Sequence, residues 1–555
     1  MLSGCSTIGP DACHLGEPAG RHAPAATILT VTTWLWRRHL SLLGLDIGTS
    51  ACKGVLLGSD GDQIAVASTE HDLTFPQPGW VELSAETVWA DVNELIRRLA
   101  AAGHEKGDPV RALAFSVSGD EAVPVDASGR ALYPCIMSMD TRTAELAAAW
   151  ERTVDADSVY ALTGLPFAAN WPLLRLMWLR DHEPQVFAST AQLLCWEDLM
   201  VARLTGGPVT DDSVASRTMA FEIGKRGWSE EILALAGIAP SMFPGSVASG
   251  SVIGVVAPAQ AAKLGLTGDV LVVAGGFDQA MAALGAGLTH PGAAVVGTGT
   301  WEALTILTAN PAIAPSLRAG GYTSGCYVAG NLYYCLASNP GGGSVVRWFR
   351  DTFGAAEIEV GRRTGIDAFD MLMREVPEGP TGMLALPHFE GSYNPWMDPS
   401  STGAVLGLRL STSRGQVLKA LLEGITFELA ENIARLEAAG ITIGDLRATG
   451  GGARSPVWLQ LKADITGRAV TRVAVSEAGC LAAACLAGVG AGVFSSAGEA
   501  VAAVTRTAES YEPRPQVHAQ YQETFARYRR LYAAVRPLAS EPGSRSCRAA
   551  SNGRG

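Results

Sequence analysis

Apolar residues in this chain fall into short runs divided by polar turns, and two of the runs share a plan. Leu42 to Leu57 reads as a strand, an Asp-Ile-Gly-Thr-Ser turn and a second strand from Cys52. Ala293 to Leu307 repeats it as AAVV, then Gly297-Thr298-Gly299-Thr300, then EALTIL. VLVVAGG at 270–276 is a short continuous run of the kind a buried strand gives, and the small-residue helix QAMAALGAG follows it closely. Gln416 to Gly440 is apolar at 417, 418, 421, 422, 425, 429, 433 and 436, the stripe of a long helix facing a core. The uncharged run Ala478 to Phe494, rich in Ala, Gly and Cys, predicts a tightly packed internal helix. Strands alternating with helices in this way predict an α/β fold.

The two hairpins lie about half a chain apart, which points to duplicated domains. The turn-rich segment Gly287 to Gly292 is the expected boundary, giving domains at 41–290 and 291–538. Residues 1–40 lack periodicity and read as a disordered extension, and 539–555 read as a disordered tail. With 555 residues, 48% of them hydrophobic, the chain can bury more than one core. Its 42 basic and 54 acidic side chains give a net charge of −12, and the basic ones are scattered, which argues against a nucleic-acid-binding face. The apolar stretch from Ala25 to Trp36 is too short to span a bilayer, so no membrane role is expected. Ten cysteines without a CxxC pair favour reduced thiols in a cytoplasmic chain, with no structural zinc.

Candidate chemistry gathers where predicted strands end. Asp46 stands at a strand end, and Gly48, Thr49 and Ser50 follow in a tight turn whose N–H groups and hydroxyls can face a phosphate. Asp46 can then hold the accompanying Mg²⁺, directly or through water, and Lys53 can add a point charge. An ordinary hairpin with a polar turn fits the same residues. Gly297, Thr298 and Gly299 supply a second set of backbone donors, with Val295 at the position corresponding to Asp46, so this turn could hold a phosphate without a metal ligand. Gly450, Gly451 and Gly452 form a strand-to-helix loop closed by Ser455 as N-cap and Pro456 as first helical residue, against which a base or ribose can lie. The spacing is neither GxGxxG nor GxxxxGK[ST]. Asp278, at a strand end and a helix N-terminus, is either a dipole-ionised base able to take a hydroxyl proton or simply an N-cap. Asp120, Glu121, Asp140 and Arg142 follow strand-like runs and could bind a polyhydroxylated ligand; Trp80 could stack on a sugar or pin its loop.

In order along the chain, DIGTSACKG, GWVE, MDTR, GGFDQAMAALGAG, VVGTGT and GGGARSPVWLQLKADITG resemble the FGGY carbohydrate kinase family. One family signature is nearly whole, from Gly403 to Leu408 and from Gln416 to Glu423; the other is partial, with Pro172, Trp178 and Asp181 present but Arg175 where lysine is usual. The resemblance implies two actin-like ATPase domains of ribonuclease-H type with ATP and sugar in the cleft between them. It implies Asp278 as catalytic base, Asp46 as the Mg²⁺-associated aspartate, Thr49 and Thr298 in phosphate loops, and Gly451 and Gly452 in an adenosine loop. Glu121 and Asp140 fall where sugar ligands are expected. Xylulose kinases usually carry Met-His where this chain has Asp120-Glu121, and glycerol kinases carry Arg-Glu. The first-choice acceptor is a pentulose such as xylulose, phosphorylated on a primary hydroxyl. A glycerol, gluconate or fuculose type of kinase, or a non-enzymatic actin-like nucleotide switch, is the alternative, and a homodimer is left open.

Overall fold

The computed structural model describes residues 40–475 and 477–539. Of the loose extensions expected over 1–40 and 539–555, residues 1–39 and 540–555 lie outside the described residues. Two seven-stranded sheets carry the architecture. The first is built from β1 (Ser41–Ile47), β2 (Ala51–Gly58), β3 (Gln63–Glu70), β4 (Val110–Val117), β5 (Val252–Val255), β6 (Leu271–Val273) and β7 (Gly276–Phe277). The second contains β8 (Ala294–Thr298), β9 (Glu302–Thr308), β10 (Thr323–Cys326), β11 (Tyr333–Asn339), β12 (Leu446–Thr449), β13 (Val470–Val473) and β14 (Thr507–Tyr511).

The sheets repeat one wiring. In the first, the order is β5-β6-β4-β1-β2-β3, with β7 also on β4; in the second it is β10-β11-β9-β8-β12-β13-β14. Each has an antiparallel hairpin, β1 with β2 or β8 with β9, whose first strand pairs in parallel with a later one, β4 or β12. This is the duplication the sequence predicted, mixed α/β in two halves. Register refines one detail. Counting back from each turn, Asp46 pairs with Lys53 and Gly297 with Ala303, so Gly297 rather than Val295 stands at the place of Asp46.

The helices that position the site are α1 (Ala85–Lys106), α2 (Asp278–Gly285), α3 (Arg414–Ala438), α4 (Pro456–Thr466) and α5 (Ala478–Gly490). Ser413 and Gln416 form a capping box that starts α3. The expected single apolar stripe on α3 is only part of the picture, because its polar residues Glu423, Glu428 and Glu431 are buried too. They are kept there by partners: Glu423 accepts from Thr381 and Tyr521, and Glu428 from Tyr528. The predicted internal helix is α5, and it returns to the first half, where Cys480, Ala483, Ala484 and Ala487 share a core with β1, β4 and α2. Backbones touch at this crossing. A Cβ on Gly44 of β1 would collide with the Cys480 carbonyl, and one on Gly285 of α2 with that of Ala478.

Candidate active site

Three parallel neighbours, β1, β4 and β7, end side by side: Asp46 is level with Ser116, Gly276 with Ser116, and Phe277 with Val117. Residues at or just past those ends therefore converge, as they do at the carboxyl edge of an α/β sheet. Asp46 comes from β1, Asp120 and Glu121 from the turn after β4, and Asp278 from the first residue of α2. Ser116 Oγ donates to Asp46 Oδ1 at 2.5 Å. Gly479, at the start of α5, lies so close that a Cβ would sit 2.9 Å from the same oxygen.

The acids repel one another. Burial raises the Asp278 carboxyl to about 8, with Asp46, Asp120 and Glu121 adding to the rise and Arg217 opposing it. Desolvation and three carboxylates thus work against the helix dipole expected to keep Asp278 ionised. Burial also pushes Asp46 upward against its Ser116 bond, and raises Glu121, reinforced by Asp120 and opposed by Arg175. One oxygen on each of two acids, Asp278 Oδ1 and Glu121 Oε2, is buried without a hydrogen-bond partner. Glu121 uses its other oxygen to accept from the Ser138 N–H at 3.1 Å.

Asp120 is held by residues the sequence did not flag. Arg217 grips it with two prongs, Nε to Oδ1 at 2.8 Å and Nη2 to Oδ2 at 3.1 Å, and Asn170 Nδ2 donates to Oδ2 at 2.8 Å. The guanidinium is itself sandwiched, 4.5 Å from the Phe277 ring centre and 4.7 Å from that of Trp171. Arg175 donates to the Asp120 and Met137 carbonyls, so it braces the turn.

Asp140, Arg142 and Trp80 do not join this group as free ligands. Both Asp140 oxygens are taken, by the Val81 N–H at 2.6 Å and by the Arg142 backbone and guanidinium at 2.8–2.9 Å. Arg142 also reaches Glu82 at 2.9 Å, and lies 3.8 Å from the centre of the Trp80 ring. Trp80 packs edge-on against Trp178. The cluster fastens the 77–82 loop to the 137–142 loop, a structural use of residues that sequence alone offered to the ligand.

On the other side of the cleft, Thr298 ends β8 level with the last residues of β12. Its hydroxyl donates to Glu302 Oε2 at 2.8 Å, and Lys462 of α4 pairs with the same oxygen, all three side chains buried. The triple glycine rests on this threonine. Gly450 has φ +82°, and a Cβ there would lie 2.6 Å from the Thr298 carbonyl oxygen; a Cβ on Gly452 would come 2.6 Å from Thr298 Cγ2. Gly451 follows between them in a 3₁₀ turn, and Ser455 caps α4 by accepting from the Trp458 N–H. A second triple glycine, Gly341 to Gly343, also went unnoticed in the sequence: Gly343 N–H donates to Gly299 O at 2.8 Å, locking the hairpin tip. Trp301, in that turn, meets Tyr393 with ring centres 5.0 Å apart, and burial, with a smaller contribution from Asp120, raises the Tyr393 phenol. Near the first hairpin, Lys53 is half-exposed and paired with Glu477 at 2.9 Å, just ahead of α5, while Gly48 closes the turn by donating to Ala51 O and Ser50 points outward.

Residues 41–285 match the FGGY family of carbohydrate kinases, N-terminal domain, and 294–491 match its C-terminal domain. The chain belongs to the FGGY family of carbohydrate kinases. It is similar to the xylulose kinase of Bacillus subtilis (strain 168), 28% identical over 90% of this chain and 97% of that one. It is equally similar in identity, at 28%, to the gluconokinase of the same organism, over 80% of this chain and 86% of that one. Among solved structures, the xylulose kinase from Rhodospirillum rubrum superposes with a TM-score of 0.82 at 27% identity, covering 90% of this chain and all of the other. This FGGY protein is a phosphotransferase of the sugar-kinase class, with two domains of the actin-like kind. Sugar kinases of this family use ATP. No helix among the described residues is long and apolar enough to cross a membrane.

Proposed function

We propose that this FGGY kinase transfers the γ-phosphoryl group of ATP to a primary hydroxyl of a small uncharged sugar, a pentulose such as xylulose. The observation that carries this is the pair of unpartnered buried acceptors, Asp278 Oδ1 and Glu121 Oε2, beside the clamped Asp120. Acceptors without partners call for hydroxyl donors. A sugar acid would instead bring its carboxylate toward Asp46, Asp120, Glu121 and Asp278, which already repel one another.

Asp278 acts as the base in its ionised form, the minority form at pH 7 for a carboxyl raised to about 8, so kcat should rise with pH as that carboxyl ionises and takes the proton of the in-line hydroxyl. Glu121 and Asp120 hold neighbouring hydroxyls, and Arg217 fixes Asp120 for that purpose. The turns at 48–50 and 297–299 offer N–H groups to the phosphates, and Gly450 to Gly452 leave a bare backbone for the adenosine. Lys53 adds positive charge beside the first turn. Mg²⁺ is held by one or two carboxylates together with substrate phosphates, so Asp46, with Asp278 near it, would hold Mg²⁺ beside the phosphates of ATP. That ion would neutralise phosphate charge. Closure of the two halves excludes water, which would otherwise compete for the phosphoryl group. The cytoplasm, where ATP and reduced thiols coexist, is the proposed location; the cysteines among the described residues are unpaired and buried.

The test is ADP release with a panel of pentuloses, hexuloses, polyols and aldonates. A pentulose should give the highest kcat/KM. Turnover with gluconate alone would refute the choice of a neutral acceptor.

A further inference from the structure

Behind the first hairpin turn, the His71 ring touches two oxygen atoms. Its Nδ1 lies 2.9 Å from Asp91 Oδ2 on α1, and its Nε2 lies 3.2 Å from the backbone carbonyl oxygen of Thr49. The His71 N–H donates to Ser50 O at 3.1 Å, so backbone and ring both grip the turn. The ring is 1% exposed and the Asp91 side chain 16%, which leaves little room for water to substitute.

A carbonyl oxygen and a carboxylate only accept hydrogen bonds, whereas a neutral imidazole has a single N–H. Donating to both oxygens at once takes an N–H on each ring nitrogen. The other groups facing this ring are the Cys52 thiol from β2, kept neutral by burial and by Asp91, and beyond it Asp46 of β1. Cys52, His71 and Asp91 bring ligand atoms within 4.8 Å of one another, a set that could take a metal ion. The direct 2.9 Å contact between nitrogen and oxygen is that of a shared proton.

We propose that His71, held by Asp91, is a positioning residue that clamps the Thr49 carbonyl and so sets the 48–50 turn for the phosphates of ATP. The inference rests on reading that turn as a phosphate loop. His71 acts through the turn, by fixing where the Thr49 carbonyl points.

The two amide variants separate the two ring bonds. His71→Asn keeps a donor near Asp91 and loses the one to Thr49, and its KM for ATP should rise about tenfold, with kcat and the KM for sugar nearly unchanged. His71→Gln, whose amide reaches toward the Nε2 position, should recover most of that loss. Asp91→Leu, which leaves His71 Nδ1 without its acceptor and frees the ring to turn away from Thr49, should raise the KM for ATP in the same way and serves if the His71 variants fold poorly. His71→Asn with a KM for ATP within twofold of wild type and an unchanged circular dichroism spectrum overturns the clamp. One zinc per chain in the purified protein also overturns it, because the metal would replace the proton. Thr49→Val tests the loop itself: a raised KM for ATP there with a silent His71 sinks the clamp alone, and silence in Thr49→Val with a responsive His71 sinks the loop reading.

Discussion

Replacing Asp278 by Asn should abolish turnover and at the same time stabilise the protein. The folded carboxyl titrates at about 8, against 3.8 for an ordinary aspartate, chiefly because it is buried and then because three acids surround it. At pH 7 the folded chain keeps a proton that the unfolded chain has released, and about three pH units separate 3.8 from 7. At about 1.36 kcal/mol per unit, that burial costs on the order of 4 kcal/mol. The sign follows: below the unfolded value both states are protonated and the cost is absent; it grows as pH rises and levels off above about 8. Asparagine has no charge to lose, but its amide must find a partner where Oδ1 has none, which offsets part of the gain. A net stabilisation of about 1–3 kcal/mol at pH 7, vanishing near pH 4, is expected from denaturant midpoints of the two proteins. The coupled ADP assay should show a loss of at least about a hundredfold in kcat, with ATP still binding by calorimetry. Equal stability of the two proteins at pH 4 and pH 8.5 would refute the electrostatic argument, and near-normal turnover would remove Asp278 from the chemistry.

Other changes separate the two halves of the cleft. Arg217→Lys loses the two-pronged grip on Asp120 and should raise the KM for sugar about tenfold or more, leaving that for ATP within about twofold; equal effects on both would contradict the assignment. Gly450→Ala drives a Cβ into the Thr298 carbonyl at a positive φ, so the KM for ATP should rise at least about tenfold with sugar binding, followed by fluorescence, unaffected. Lys462→Met leaves the buried Glu302 without its cation and should cost about 3–5 kcal/mol in denaturant unfolding, which a change below about 1 kcal/mol would disprove.

Local signals carried the sequence reading where chemistry sits in a contiguous stretch. Asp46 with its turn, Asp278 between strand and helix, and the 450–452 glycines each announce themselves within a dozen residues, and the repeated hairpin gave away the duplicated sheets. Arg217 gives no such sign: it is 97 residues from Asp120, and only the fold makes them partners. The mutual bonds of Asp140 and Arg142 were hidden for the converse reason, since two charges two residues apart say nothing about whether they face a ligand or each other. The protonation of Asp278 was equally out of reach, because it depends on how many acids three different strand ends bring together.

The return of α5 to the first sheet bears on how the polypeptide can be divided. Cut near residue 290, the leading fragment would display bare backbone at Gly44 and Gly285, shaped to receive a helix encoded some 190 residues later. Such a fragment is an open socket, prone to aggregate when expressed alone, and a peptide spanning 477–504 supplied in trans is its natural plug.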